Sequence, residues 1–156
     1  LFRSVVAHVA MERWLTKHKS TDRPNYAGEN KARLEPEVAA NVRSCVAEYA
    51  VAKLYKKAWV FPWYPNAEHS FRKNQPDVAP NIEVKTIRTR NDVPVFAKDI
   101  REGNVIVAVR VEDADYYTQV SVFGWIDVMD IPGDEWYDRA EGYWRVPLGA
   151  FSLEML

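Results

Sequence analysis

The feature that most constrains the fold is a change of hydrophobic period near residue 58. Before it, apolar residues recur at helical spacing; after it, they alternate every second residue. Residues 4–18 predict a helix with Val5, Val6, Val9, Trp14 and Leu15 on one face. Residues 20–31, rich in Ser, Asp, Pro, Asn and Gly, predict a loop. A longer helix is expected over 36–57, where Val38, Val42, Cys45, Val46, Tyr49 and Ala52 keep the period. Pro36 suits its first turn, and Lys53, Lys56 and Lys57 suit the negative end of its dipole. Beyond the change, 59–63 reads as a short aromatic strand cut by Pro62, and 66–80 as irregular. Three clearer strands are expected over 82–89, 104–111 and 119–127, the last two joined through 112–118 as an antiparallel hairpin. Residues 129–156, with Pro132-Gly133, Trp136, Tyr137, Tyr143 and Trp144, read as a packed C-terminal cap. Helices followed by strands predict an α/β or α+β fold, and 156 residues fit one domain.

Composition excludes several classes. The one cysteine, Cys45, allows no intrachain disulfide and no cysteine-based zinc cluster, and it fits a reducing, cytoplasmic compartment. No apolar run approaches the ~18 residues of a membrane span, and 1–10 lacks the organisation of a signal peptide. The net charge of -1 conceals an uneven distribution. Residues 71–101 carry seven basic and four acidic side chains, whereas 111–141 carry one basic and nine acidic. A neutral average therefore leaves room for a local, salt-sensitive contact with nucleic acid on one side of the molecule.

The chemistry concentrates in Gln75-Pro76-Asp77-Val78-Ala79-Pro80-Asn81-Ile82-Glu83-Val84-Lys85-Thr86. An acid-x-Lys triplet alone says little; Glu29-Asn30-Lys31 is another, without a strand around it. In Glu83-Val84-Lys85, strand alternation puts Glu83 and Lys85 on one side and Ile82 and Val84 on the other, towards a core. The ordinary reading of such a pair is a surface ion pair, and that of Asp77 a turn residue after Pro76. A Pro-containing bend could instead return Asp77 to the side of Glu83. Two converging carboxylates repel unless a cation sits between them, and oxygen ligands without Cys or His select Mg²⁺ or Mn²⁺. Glu48 lies at the margin of the apolar stripe of the long helix, beside Ala47, Ala50 and Ala52, which allow close approach to a sheet. A charge there is costly unless it is paired or metal-linked; Lys53 and Lys85 are the ordinary partners. Arg88 and Arg90, with Arg72 and Lys73, are the candidate phosphate contacts. Trp63 and Tyr64 could stack on bases, and His69 is the histidine nearest the motif.

Pro76-Asp77 followed by Glu83-Val84-Lys85, after a helix reading Ala47-Glu48-Tyr49-Ala50-Val51-Ala52-Lys53, resembles the PD-(D/E)XK nuclease superfamily. The likeness spans about residues 36–127. The later Phe123-Gly124-Trp125-Ile126 and Tyr143-Trp144-Arg145-Val146-Pro147 resemble small members from phage and bacterial genomes. The resemblance implies a restriction-endonuclease-like fold, with a central mixed sheet flanked by helices and the motif on adjacent strands. It implies an Mg²⁺-dependent nuclease acting on nucleic acid, DNA ahead of RNA, in the cytoplasm of a bacterial host. Asp77, Glu83 and the Val84 carbonyl would hold the metal, Glu48 would complete the shell or place a second ion, and Lys85 would assist the attacking water. A homodimer is one arrangement by which such nucleases cut both strands. The alternative is a catalytically silent module of the same fold, working through its acidic C-terminal surface.

Overall fold

The structure, a computed structural model, describes residues 2–19, 34–60, 75–112, 119–131 and 133–156. Its architecture is α+β. Helices α1 (Phe2–Lys19) and α2 (Leu34–Leu54) precede strands β1 (Ile82–Ile87), β2 (Asp92–Val95), β3 (Val105–Val111), β4 (Val120–Asp127), β5 (Tyr137–Asp138) and β6 (Tyr143–Pro147). Two three-stranded sheets result, ordered β1-β3-β4 and β2-β6-β5. In the first, β1 runs parallel to β3 and β4 antiparallel to it, so this sheet is mixed; the second is antiparallel. Among the described residues, no helix is long and apolar enough to cross a membrane.

Strand β3, Val-Ile-Val-Ala-Val-Arg-Val, explains the layering. Val105, Val107, Val109 and Val111 join the core built by Val6, Val9 and Ala10 of α1 and Cys45, Val46, Ala47, Val51 and Ala52 of α2. Ile106 and Ala108, on the opposite side, join Val93 and Val95 of β2, Val146 of β6, and Ile126, Val128 and Phe151. A strand covered on both faces needs apolar residues at nearly every position, which is its sequence. The helices thus cover one face of the mixed sheet, and the second sheet covers the other. The expected α+β class with a mixed sheet and packed helices is present; among the described residues the helices lie on one face of that sheet. The reading of 129–156 changes: that segment supplies β5 and β6.

Other differences are local. Val5, expected on the apolar face of α1, is exposed, whereas Ala10 is fully buried. Strand β2 was not expected, being only four residues long and containing Pro94; as an edge strand it tolerates the missing amide. Trp59 forms an isolated antiparallel bridge with Val78, and the rest of the proposed 59–63 strand, 61–63, lies outside the described residues, as does most of the 112–118 connection. The antiparallel pairing of β3 with β4 follows the expected hairpin, with an irregularity between Ala108 and Val109 opposite Gly124. Gly124 has φ +123°, and a Cβ there would lie 2.3 Å from the Ser152 carbonyl oxygen, so only glycine lets the C-terminal segment bridge to Trp125.

Candidate active site at the start of strand β1

The motif strand enters through a tight reversal. Val78 and Ile82 exchange backbone hydrogen bonds, Val78 N to Ile82 O at 3.0 Å and Ile82 N to Val78 O at 2.9 Å. This folds Asp77 back over β1, where its Oδ2 accepts from the Val84 amide at 2.9 Å. The bend expected from the prolines is present, and it sets Asp77 beside the strand that carries Glu83. Ile82 and Val84 pack into the helix-side core, as alternation requires. Glu83 and Lys85 share the other side with Ile87, facing the segment that crosses from β1 to β3.

That crossover supplies two partners that sequence patterning did not single out. Asp99, in the short 3₁₀ turn Ala97–Asp99, is 3% exposed. Its Oδ2 accepts from Lys85 Nζ at 2.5 Å and from the Phe96 amide at 3.0 Å. Arg101 places a guanidinium nitrogen 3.2 Å from Glu83 Oε1, yet outside hydrogen-bond geometry, so this buried oxygen accepts no hydrogen bond among the described residues.

The helix layer supplies the third carboxylate. Glu48 of α2 is 3% exposed, and Arg13 of α1 grips it through two hydrogen bonds, at 2.7 Å to Oε1 and 2.9 Å to Oε2. Trp59 Nε1 donates to Glu48 Oε2 at 3.0 Å. Glu48 is therefore inside the molecule, as its place on the apolar margin suggested, but its partners are Arg13 and Trp59 rather than Lys53 or Lys85. Desolvation alone would lower the Arg13 pKa; the Glu48 charge and hydrogen bonds outweigh it and raise the value.

The electrostatics single out the Asp77–Glu83 pair. Asp77 keeps some exposure as a residue, but its carboxyl is withdrawn from water. Burial first, then the charges of Glu48 and Glu83, push that carboxyl up to about 8, against the pull of the Val84 amide and Arg13. Glu83 is also raised, by burial above all, with Arg101 and Lys85 opposing and Asp99 and Glu48 adding repulsion. Burial first, and neighbouring carboxylates second, thus disfavour ionisation at both groups, a pattern that often marks functional sites. The consequence for stability has a definite sign. Between about pH 4 and pH 8 the unfolded chain holds Asp77 ionised while the folded chain keeps it protonated. The folded state then binds more protons, so stability falls as pH rises through that interval. In EDTA, wild type should lose thermal stability from pH 5 to pH 8 relative to Asp77→Asn, and Mg²⁺ or Mn²⁺ should recover the loss at pH 8. Parallel melting curves of the two proteins would contradict this.

The donor set fits a hard divalent ion in one specific way. Among the described residues, no group of three or more carboxylates, histidines or cysteines is placed to hold a metal. Glu48 is committed to Arg13, which leaves two carboxylates, one of them with an orphaned buried oxygen. Magnesium is commonly held in this fashion, by one or two carboxylates, with water and substrate phosphate filling the remaining positions.

Of the candidate phosphate contacts, Arg88 is exposed just past β1, and Arg90 is paired with Asp92 at 3.1 Å. Arg72, Lys73, Trp63, Tyr64 and His69 lie outside the described residues. Several acids of the C-terminal region have local structural roles. Asp127 accepts from the Met129 amide at 2.8 Å, and Asp138 accepts from the Ala140 amide at 3.0 Å and the Glu141 amide at 3.2 Å. No family model matches the chain, and no curated protein or solved structure is significantly similar to it.

Proposed function

We propose that this protein is a metal-dependent nuclease of the PD-(D/E)XK kind, with a restriction-endonuclease-like core, hydrolysing phosphodiester bonds in nucleic acid, DNA ahead of RNA. The observation that carries the reading is the return of Asp77 to the strand that carries Glu83 and Lys85, with both carboxyls desolvated and Asp77 raised further by the charges of Glu48 and Glu83. Asp77 receives a backbone amide, and Glu83 Oε1, although Arg101 stands 3.2 Å away, accepts no hydrogen bond among the described residues.

Asp77 and Glu83 would hold Mg²⁺ or Mn²⁺, with the Val84 carbonyl as a backbone ligand. A bound ion there would polarise the phosphate and favour departure of the leaving oxygen. The chain's own groups do the rest. Lys85, held by Asp99, would present its ammonium to the phosphate and to the attacking water, offsetting the negative charge that develops in the transition state. Arg13 neutralises Glu48, so Glu48 tunes the charge of the site from behind rather than ligating in this arrangement. Arg88, exposed beyond the strand, would meet a neighbouring phosphate.

The competing module reading draws on the same ion pairs, because Lys85 and Glu48 both have protein partners. Cleavage separates the two. Purified protein is incubated with supercoiled plasmid and with single-stranded DNA and RNA, in Mg²⁺, in Mn²⁺ and in EDTA. The nuclease reading expects cleavage in either metal, none in EDTA, and none by Asp77→Asn. Intact substrates throughout, or cleavage insensitive to EDTA and to Asp77→Asn, would overturn it.

A further inference from the structure

Beside Lys85 lies an aromatic surface to which the proposed reaction assigns no role. Phe96 is 41% exposed, although Val93 and Val95 just before it are fully buried. The exposed ring does not sit on a loose tip. Its backbone amide donates to Asp99 Oδ2 at 3.0 Å, and its carbonyl accepts from the Asp99 amide at 2.8 Å. Tyr143 of β6 packs against the ring, with centroids 5.1 Å apart at 48°. Two ammonium groups approach the same ring, Lys85 Nζ at 5.8 Å and Lys98 Nζ at 5.7 Å from its centroid.

The combination of these groups suits a single nucleic-acid strand. Such a strand alternates a phosphate anion with a flat, apolar base. Here one flat apolar ring, Phe96, has two ammonium groups within 5.8 Å of its centroid, those of Lys85 and Lys98. Asp99 links Lys85 to Phe96, since one oxygen of its carboxylate holds both the Lys85 ammonium and the Phe96 amide. Lys85 is thereby fixed, whereas Lys98 is exposed and able to turn towards a phosphate. A base inside a duplex already has both faces stacked on its neighbours, so away from the helix ends a ring at the protein surface can stack only on an unpaired one.

We propose that Phe96, braced by Tyr143 and flanked by Lys98, is a stacking subsite for an unpaired nucleobase adjacent to the phosphate at Lys85, so that the site takes single-stranded nucleic acid. The inference rests on the nucleic-acid reading above and deepens it by naming the form of the substrate. It is tested by binding without turnover: fluorescence anisotropy of labelled oligo(dT) and of a labelled blunt duplex, in EDTA, over a range of salt. Phe96→Ala should weaken oligo(dT) binding by about 5- to 150-fold, the usual value of one base–aromatic stack, and leave duplex binding unchanged. Phe96→Trp should restore single-strand affinity, which loss of folding could not explain. Lys98→Ala should reduce the salt slope for oligo(dT) by about 0.7. Equal oligo(dT) affinities of wild type and Phe96→Ala, or no oligo(dT) binding by wild type, would overturn the subsite. Because no cleavage is read, an inactive protein that still binds oligo(dT) through Phe96 would refute the nuclease and keep the subsite. A metal-dependent nuclease indifferent to Phe96→Ala would do the reverse.

Discussion

Lys85→Ala should lower the single-turnover rate of phosphodiester cleavage by about 10²- to 10³-fold, the usual cost of removing one group that stabilises transition-state charge. The affinity for Mn²⁺ should stay the same or rise, because a positive charge has left the neighbourhood of Glu83. The substitution also strips Asp99, 3% exposed, of its cation. Some stability will therefore be lost, and the catalytic effect must be separated from it. The double variant Lys85→Ala/Asp99→Asn removes the stranded charge as well. It should regain thermal stability over Lys85→Ala alone while staying as inactive. Activity returning together with stability would assign Lys85 a purely structural role.

The second large effect concerns the helix side. Arg13→Met leaves Glu48 buried without its cation, with Trp59 Nε1 still donating to it. Stranding one partner of a buried ion pair costs about 3–5 kcal/mol, far more than the pair's net contribution when intact. For a chain of this length that corresponds to a melting-point drop of about 6–20 °C. Arg13→Met/Glu48→Gln, with neither charge, should recover much of the loss. Differential scanning calorimetry of the four proteins closes the cycle, and additive single effects would show that the two residues do not depend on each other. The same pairing has a functional side. With Glu48 held by Arg13, Asp77 and Glu83 are the carboxyls left to take a cation, and ionising Asp77 against the charges of Glu48 and Glu83 is what a bound cation would favour.

The sequence made the centre of the candidate site legible, as the arrangement of Asp77, Glu83 and Lys85 around β1, and left its partners out. Alternation in Ile82-Glu83-Val84-Lys85 was enough to separate core residues from site residues, because a strand has only two faces. The return of Asp77 followed from a proline-bearing bend closed by short-range bonds between Val78 and Ile82. Partners fixed by packing over longer separations left no such local signal. Arg13 is 35 residues from Glu48, and Asp99 is 14 from Lys85. In the sequence Arg13 is one of several charges on α1 and Asp99 an acid between β2 and β3, with no local pattern that marks either. Which of many charges meet depends on how α1 lies on α2 and where the crossover from β1 to β3 turns. The fold followed the same rule. The long valine-rich strand β3 was evident, whereas β2, short and interrupted by Pro94, owes its place to pairing with β6. The covering of the mixed sheet by helices on one face and a second sheet on the other is a property of that pairing, and no single segment encodes it.

The central claim, that Asp77 and Glu83 form a divalent-cation site, is tested most directly by titrating Mn²⁺ into the protein and following bound ion by electron paramagnetic resonance. Saturable binding of one ion per chain is expected at pH 8, abolished by Asp77→Asn and by Glu83→Gln and retained by Lys85→Ala. No saturable binding, or binding unchanged by Asp77→Asn and Glu83→Gln, would contradict the account.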